Sequence, residues 1–304
     1  MEALTTKMLI DRHIHGAFGV DINKAKSDDI IFLAKNLYKR GIGGFYPTLV
    51  TDTADNIKKQ ITEIKIAAEK QEKKTAKILG IHLEGIFINP DKKGIHYEKL
   101  FLELTKENFQ KIEDDFIKIV TLAPELDKNL IDYLKSKNVQ IQAGHCVGND
   151  LTKCFGVTHL FNAMSGINHR NESTALSALT DDGIYTEIIA DGVHLNNSTL
   201  KLVFKAKPLN KIILISDALP ITYSDRKQTE FAGSVIFYDG VKATSKDGTI
   251  AGSTTLLDGI VKYLNKINLF NPCLVDNPHS LEKTEIKGKL IWDKDFNIID
   301  IVGE

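Results

Sequence analysis

The sequence has 304 residues, 42% of them hydrophobic and 26% charged, and a formal net charge of −1. That size suits one full core, such as an α/β barrel with a small appendage, and the near-neutral balance gives no basic footprint for nucleic acid. No apolar run approaches the ~18 residues of a membrane span, the amino terminus lacks a signal-peptide core, and the three cysteines show no C-x-x-C spacing, so a reduced cytoplasmic protein is expected.

In chain order, residues 7–15 (KMLIDRHIH) predict an apolar strand ending in His13-x-His15. Residues i and i+2 of a strand face the same side, so both imidazoles can reach one ion. Residues 28–40 have helical apolar spacing, an acidic start and Gly41 as a stop. Residues 44–50 predict a second strand, with an amphipathic helix over 51–70 behind it. The third strand, 78–84, runs oily through Ile78-Leu79-Gly80-Ile81 and then delivers His82 and Glu84 before Gly85. An acid at the end of a buried strand is costly to desolvate unless paired, so Glu84 is either a salt-bridged core acid or part of a site.

Five more strands are expected over 117–125, 139–146, 156–164, 184–194 and 211–219. They carry Gly144-His145, His159 with Asn162, Asp191-Gly192-x-His194, and Ser216-Asp217. A short helix is expected over 129–137. About eight strands alternating with helical segments at roughly 25–40-residue spacing predict a (β/α)8 TIM-like barrel over 7–268. An open doubly wound sheet would need a Gly-rich phosphate turn after an early strand, and none is present. Residues 234–238 and 287–300 read as antiparallel strands with turns at Asp239-Gly240 and 293–295, and a helix over 253–265 lies between them. They predict a small β appendage built from 1–6 and 269–304.

Of nine histidines, His13, His15, His82, His145, His159 and His194 fall at or near expected strand ends, and His96 and His169 in loops after such strands. Converging on one barrel mouth with Glu84 and Asp217, imidazoles and carboxylates without thiolate suit Zn²⁺ or a similar divalent ion. Cys146, next to His145, offers a soft ligand, but its alternate direction on the strand argues against it. Such an ion brings the pKa of bound water toward neutrality, and Asp217 is placed to take the proton and hand it on; the structural reading of Asp217 is a helix cap.

These motifs resemble the N-acetylglucosamine-6-phosphate deacetylase family of the metal-dependent amidohydrolase superfamily. The matching segments run in order: IDRHIHG, GFYPTLVT, GIHLEG with NPDKKGIH, TLAPE, AGH, THLFNAM with NHR, ADGVH, SDA and GTIAGS. The resemblance implies that Glu84, His145 and His159 are the principal metal ligands, and that His13 and His15 hold a second metal, as in those relatives that keep the pair. It implies one or two divalent ions, Zn²⁺ first, with Fe²⁺, Mn²⁺ or Co²⁺ as alternatives. Asp217 becomes the catalytic acid/base, and Ile95, His96, Asn162, Ala163, Arg170, His194, Ile250, Ala251 and Gly252 become the residues that grip the sugar phosphate. The implied reaction removes the N-acetyl group of N-acetylglucosamine 6-phosphate, giving glucosamine 6-phosphate and acetate, in a homodimer whose phosphate site can borrow a residue across the interface.

Three departures bear on substrate more than on chemistry. The family has a longer segment before its first barrel strand, so the β appendage is expected to be reduced. LEGP reads LEGI at 83–86 and HHREPG reads HRNEST at 169–174, which reshapes the loop carrying Arg170. The region after Phe270 is short and is expected to lack the family's helical ending. The competing readings are an amidohydrolase acting on another N-acyl sugar or a cyclic amide, and a non-catalytic sugar-phosphate sensor.

Overall fold

The computed structural model describes residues 4–303. Eight short strands form the centre: Leu9–Ile14, Ile42–Leu49, Ile81–Glu84, Ile117–Leu122, Gln140–Ala143, Gly156–Val157, Tyr185–Ile188 and Ile212–Leu214. They lie side by side in chain order, each parallel to the next, and a parallel bridge between Ile14 and Ala218 joins the last to the first. At this seam Asp217 donates its N–H to the His13 carbonyl at 2.8 Å, and His15 donates to Ala218 at 2.9 Å. The result is a nearly closed eight-stranded parallel barrel, and the carboxyl ends of all eight strands share one rim.

Amphipathic helices cover the outside. Ser27–Lys39 buries Ile30, Leu33, Ala34 and Leu37. Ala54–Glu69, capped by the Thr53 side chain, buries Ile57, Ile61 and Ile64. Each of these isoleucine and leucine side chains contributes roughly 1.5–3 kcal/mol by leaving water. Further helices follow at Lys106–Gln110, Leu130–Ser136, Thr174–Thr180, Asn197–Ala206 and Leu257–Lys266. Residues 144–155 join the fifth and sixth strands without a helix. None of the described helices is long and apolar enough to cross a membrane.

Several strands end earlier than their sequence suggests. The sixth, expected over 156–164, pairs only at Gly156–Val157, because His159, Phe161 and Ala163 turn to φ of 32°, 73° and 47° and leave the ladder. The third is interrupted at residues 79–80, splitting Lys77–Ile78 from Ile81–Glu84.

The two expected antiparallel segments do not form one appendage. Ser234–Tyr238 belongs to a four-stranded sheet, Gln228–Phe231, Ser234–Tyr238, Ala243–Ser245 and Ile250–Gly252, inserted after the eighth barrel strand. A bridge between Ala218 and Ser253 ties it to the rim. Lys289–Trp292 and Ile298–Val302 form a separate sheet with Leu4–Lys7, fastened by Trp292 donating its indole N–H to Thr6 Oγ1 at 2.9 Å. The expected absence of a helical ending is also corrected: Cys273–His279 is helical, and Asn277 donates to the carbonyls of Leu209 and Ile212 at 2.8 and 2.7 Å. Residues 1–3 and 304, which the expected appendage includes, lie outside the described residues.

Candidate active site

The residues just beyond the strand ends turn inward rather than on along the strand direction. His145, His159 and Asp217 have φ of 48°, 32° and 50°, a left-handed region that costs a side-chain-bearing residue about 1–3 kcal/mol and concentrates at functional sites. Their side chains meet Glu84, which is 2% exposed, and each of its oxygens faces a different set of donors. Oε1 lies 2.9 Å from His159 Nε2 and 3.3 Å from His145 Nε2. Oε2 lies 3.1 Å from His13 Nε2 and 3.0 Å from His15 Nε2. Asp217 Oδ1 joins the second set, 3.4 Å from His13 and 3.1 Å from His15.

A metal bonded at about 2.0–2.1 Å to tetrahedral N and O ligands holds those ligands roughly 3.3–3.4 Å apart. The donor spacings, 2.9–3.3 Å, lie at or a few tenths of an ångström below that requirement around both oxygens of Glu84. Tautomers agree with it: His145 Nδ1 is 2.8 Å from the Lys92 carbonyl and His15 Nδ1 is 3.2 Å from the Thr48 carbonyl. A carbonyl only accepts, so each Nδ1 carries a proton and each Nε2 is the atom turned to the cluster, where it can give its lone pair to an ion once free of its own proton. Among the protein groups alone, burial opposes a charge on His15, but Asp217 and Glu84 outweigh it and raise the imidazole to about 10. The residues present therefore fit a divalent ion, with Glu84 shared between two donor sets.

A cavity of about 290 Å³ opens on this cluster. Glu84, His145, His159, His15 and Asp217 line it together with Ile95, His96, Asn162, Ala163, His194, Ile250, Ala251 and Gly252. His13 is fully buried behind His15. Burial opposes a charge on Asp217, but His13 and His15 outweigh it and hold the carboxyl below its usual range. Burial also opposes a charge on His194, yet its Nδ1–H bonds Asp191 Oδ2 at 2.9 Å and the pair raises the imidazole above its usual value. Burial, then the neighbouring His145, push His96 down to about 3, so it faces the cavity neutral, with Nδ1 2.8 Å from Thr51 Oγ1.

The chain is 36% identical over 272 residues to the N-acetylglucosamine-6-phosphate deacetylase of Bacillus subtilis (strain 168), covering 85% of this chain and 69% of the relative. It belongs to the N-acetylglucosamine-6-phosphate deacetylase family. Another relative, the N-acetylgalactosamine-6-phosphate deacetylase of Escherichia coli O157:H7, is 30% identical over 292 residues, covering 92% of this chain and 77% of the relative. Among solved structures, the N-acetylglucosamine-6-phosphate deacetylase of Thermotoga maritima matches with a TM-score of 0.88 at 25% identity, covering 99% of this chain and 87% of that one. The Mycobacterium smegmatis enzyme of the same name shares the fold, with a TM-score of 0.90 at 22% identity over 99% of this chain and 86% of that one. A scan of protein-family models returns no match.

Against this family background the structure separates some expected partners from the site. Arg170 is exposed, does not line the cavity, and makes its one described hydrogen bond through its backbone N–H, to Asn168. His169 is exposed beside it. His82 points into the barrel instead of toward the rim, with Nδ1 3.0 Å from the Arg12 carbonyl and Nε2 2.7 Å from Thr121 Oγ1. Cys146 turns away to Thr174 at 3.6 Å, and burial pushes its thiol up to about 12. Val50, Asp91, Lys92, Gly94, Phe231 and Thr249 line the cavity without having been expected. Lys92 stands in the NPDKKGIH stretch and could have been read from it, whereas Val50 and Phe231 look like core.

Proposed function

We propose that the chain hydrolyses the N-acetyl group of N-acetylglucosamine 6-phosphate, releasing acetate and glucosamine 6-phosphate. The observation that carries this reading is the sharing of Glu84 between His145–His159 and His13–His15–Asp217, at the floor of a cavity in a chain whose relatives bear that activity in their names. Glu84, His145 and His159 hold one divalent ion in this reading, and His13 and His15 with the other oxygen of Glu84 hold a second. Nitrogen and oxygen donors without thiolate favour Zn²⁺, with Fe²⁺, Mn²⁺ or Co²⁺ as alternatives. An ion bound there acts as a Lewis acid toward water and the amide carbonyl.

The chain's own residues supply the rest. Asp217, kept ionised, accepts the proton of the attacking water at Oδ1 and returns it to the departing amine nitrogen. His194, its Nδ1 committed to Asp191, offers Nε2–H to a substrate oxygen. Asn162 with Ala163, His96 with Ile95, and the backbone of Ile250, Ala251 and Gly252 position the sugar phosphate. Arg170, held outside its own cavity, serves the cavity of a second copy, where its guanidinium can fork onto phosphate oxygens; the protein is then a homodimer. Three free cysteines are in keeping with a reducing cytoplasm.

A second reading has specific support. The relative named for N-acetylgalactosamine 6-phosphate covers 92% of this chain, and the two sugars differ at one hydroxyl. The test is acetate release from both phosphate esters and from unphosphorylated N-acetylglucosamine, with bound metal quantified on the same sample. Faster release from the glucosamine ester is expected. A preference for the galactosamine ester would install the second reading, and metal-loaded protein that cleaves neither would overturn both.

A further inference from the structure

The cavity lining mixes two kinds of group. His96, Asn162, His194 and Thr249 bring hydrogen-bonding groups to it. Val50 and Phe231 line it as well, and both belong to a small apolar cluster with Leu219, Ile221, Ile236 and Ala243 between the barrel rim and the inserted sheet. Phe231 is 1% exposed, and its ring centroid lies 5.2 Å from that of His15. Apolar surface therefore borders the donor cluster at His15.

This wall is fixed at both of its members. Val50 accepts from Asn23 Nδ2 through its carbonyl at 3.2 Å and donates its N–H to Asn23 Oδ1 at 3.0 Å. Phe231 ends a strand at a tight hairpin, with Ala232 and Gly233 at φ of 50° and 79° and Phe231 paired with Ser234. Behind it, Leu219 donates its N–H to the Ser253 carbonyl at 3.0 Å. A close-packed wall of this kind does not yield to admit extra methylenes.

We propose that Val50 and Phe231 seat the alkyl part of the scissile acyl group, and that Phe231 limits that group to acetyl. The inference rests on the N-deacetylase reading, which brings the amide carbon to the donor cluster beside Asp217. Three substituents then need partners. The oxygen and the sugar-bearing nitrogen require polar ones, and the alkyl group takes the apolar wall. Phe231 reaches this position from a sheet that is no part of the barrel ring, whereas Val50 directly follows the second barrel strand, so the seat draws on both pieces of chain.

The test compares N-acetyl- and N-butanoyl-glucosamine 6-phosphate with the full-length metal-loaded protein, Phe231→Ala and Val50→Ala. It reads kcat/KM for each ester, and Kd for each in the Asp217→Asn background. A methylene is worth about 10–200-fold in such a pocket, so the parent is expected to favour acetyl by at least about 100-fold. Phe231→Ala is expected to lower that ratio by about 10-fold or more through a gain on the butanoyl ester. Val50→Ala, which removes less of the wall, is expected to shift it the same way by less, and the Kd ratios to follow. Folded variants that both retain the parent's ratio would overturn the acyl seat, and so would a parent that cleaves both esters equally well. A parent that cleaves neither ester overturns the deacetylase reading and the acyl seat with it.

Discussion

At the scale of single residues, the site depends on Glu84 serving two donor sets with one carboxylate. That sharing separates the effects of substitutions. Glu84→Gln is expected to lower bound metal at both sets and to abolish turnover. His13→Ala is expected to lower metal at one set while the His145–His159 set keeps its ion. Asp217→Asn is expected to lower kcat by about 10²–10⁴-fold, the usual worth of a positioned acid/base, with the His145–His159 ion retained. Metal analysis beside kcat checks all three, and full metal binding by Glu84→Gln would remove the sharing argument. These residues were legible in the sequence because each is polar where an oily strand should continue. Phe231 and Val50 were not, because an apolar residue facing a cavity has the same letter as one facing the core. Arg170 was legible as a motif residue, but its placement depends on how an exposed loop folds, which the motif does not encode.

At the scale of elements, function depends on where strands stop. Gly85 follows the third strand at φ 100°, and a Cβ there would lie 2.3 Å from Thr51 Oγ1 and 2.7 Å from His96 Nδ1. Thr51 Oγ1 also accepts the Ile86 N–H at 2.8 Å, so one contact fixes both the strand exit and His96. Gly85→Ala is expected to lower stability by about 1–3 kcal/mol and to raise KM more than it lowers kcat, since the added Cβ meets Thr51 and His96 first. Thermal unfolding and steady-state kinetics check this; unchanged values would show that Thr51 and His96 move aside freely. The existence and order of the eight strands were readable from their alternation with helices. Their ends were not, because the apolar pattern of 156–164 continues after the backbone has turned at His159. Nor could local pattern say which antiparallel strands pair. Ser234–Tyr238 and Lys289–Trp292 look alike and lie in different sheets.

At the scale of the whole molecule, the barrel interior holds a buried polar group beneath the site. Arg12 is 1% exposed and meets Glu282 at 2.5 Å, with Glu187 at 3.8 Å. Burial raises Glu187 from 4.5 to about 7 despite Arg12 nearby. Between those values the folded protein holds a proton that the unfolded chain has released, so stability falls as pH rises through that window and the loss is complete above it. The shift corresponds to an order of 3 kcal/mol at pH 8. Glu187→Gln keeps an acceptor for Gln142 Nε2, which bonds Glu187 Oε1 at 3.1 Å, and removes the ionisation. It is expected to match the parent near pH 4.5 and to exceed it at pH 8, as measured by urea unfolding; parallel pH profiles would count against the raised carboxyl.

The seam between the first and last barrel strands has a consequence for the order in which this protein is made. Asp11 Oδ1 accepts the Ser216 N–H from 205 positions away, and the same seam sets His13 and His15 beside Asp217. Contacts of such separation form late, because the chain loses the entropy of a long loop before they reward it. A nascent chain that has emerged only through Ile212–Leu214 carries Glu84 and all four histidines of the two donor sets but lacks Asp217. The proposed proton carrier therefore joins the cluster only after the final strand has emerged, and a barrel that stops short of it holds the imidazoles and Glu84 without that carboxylate.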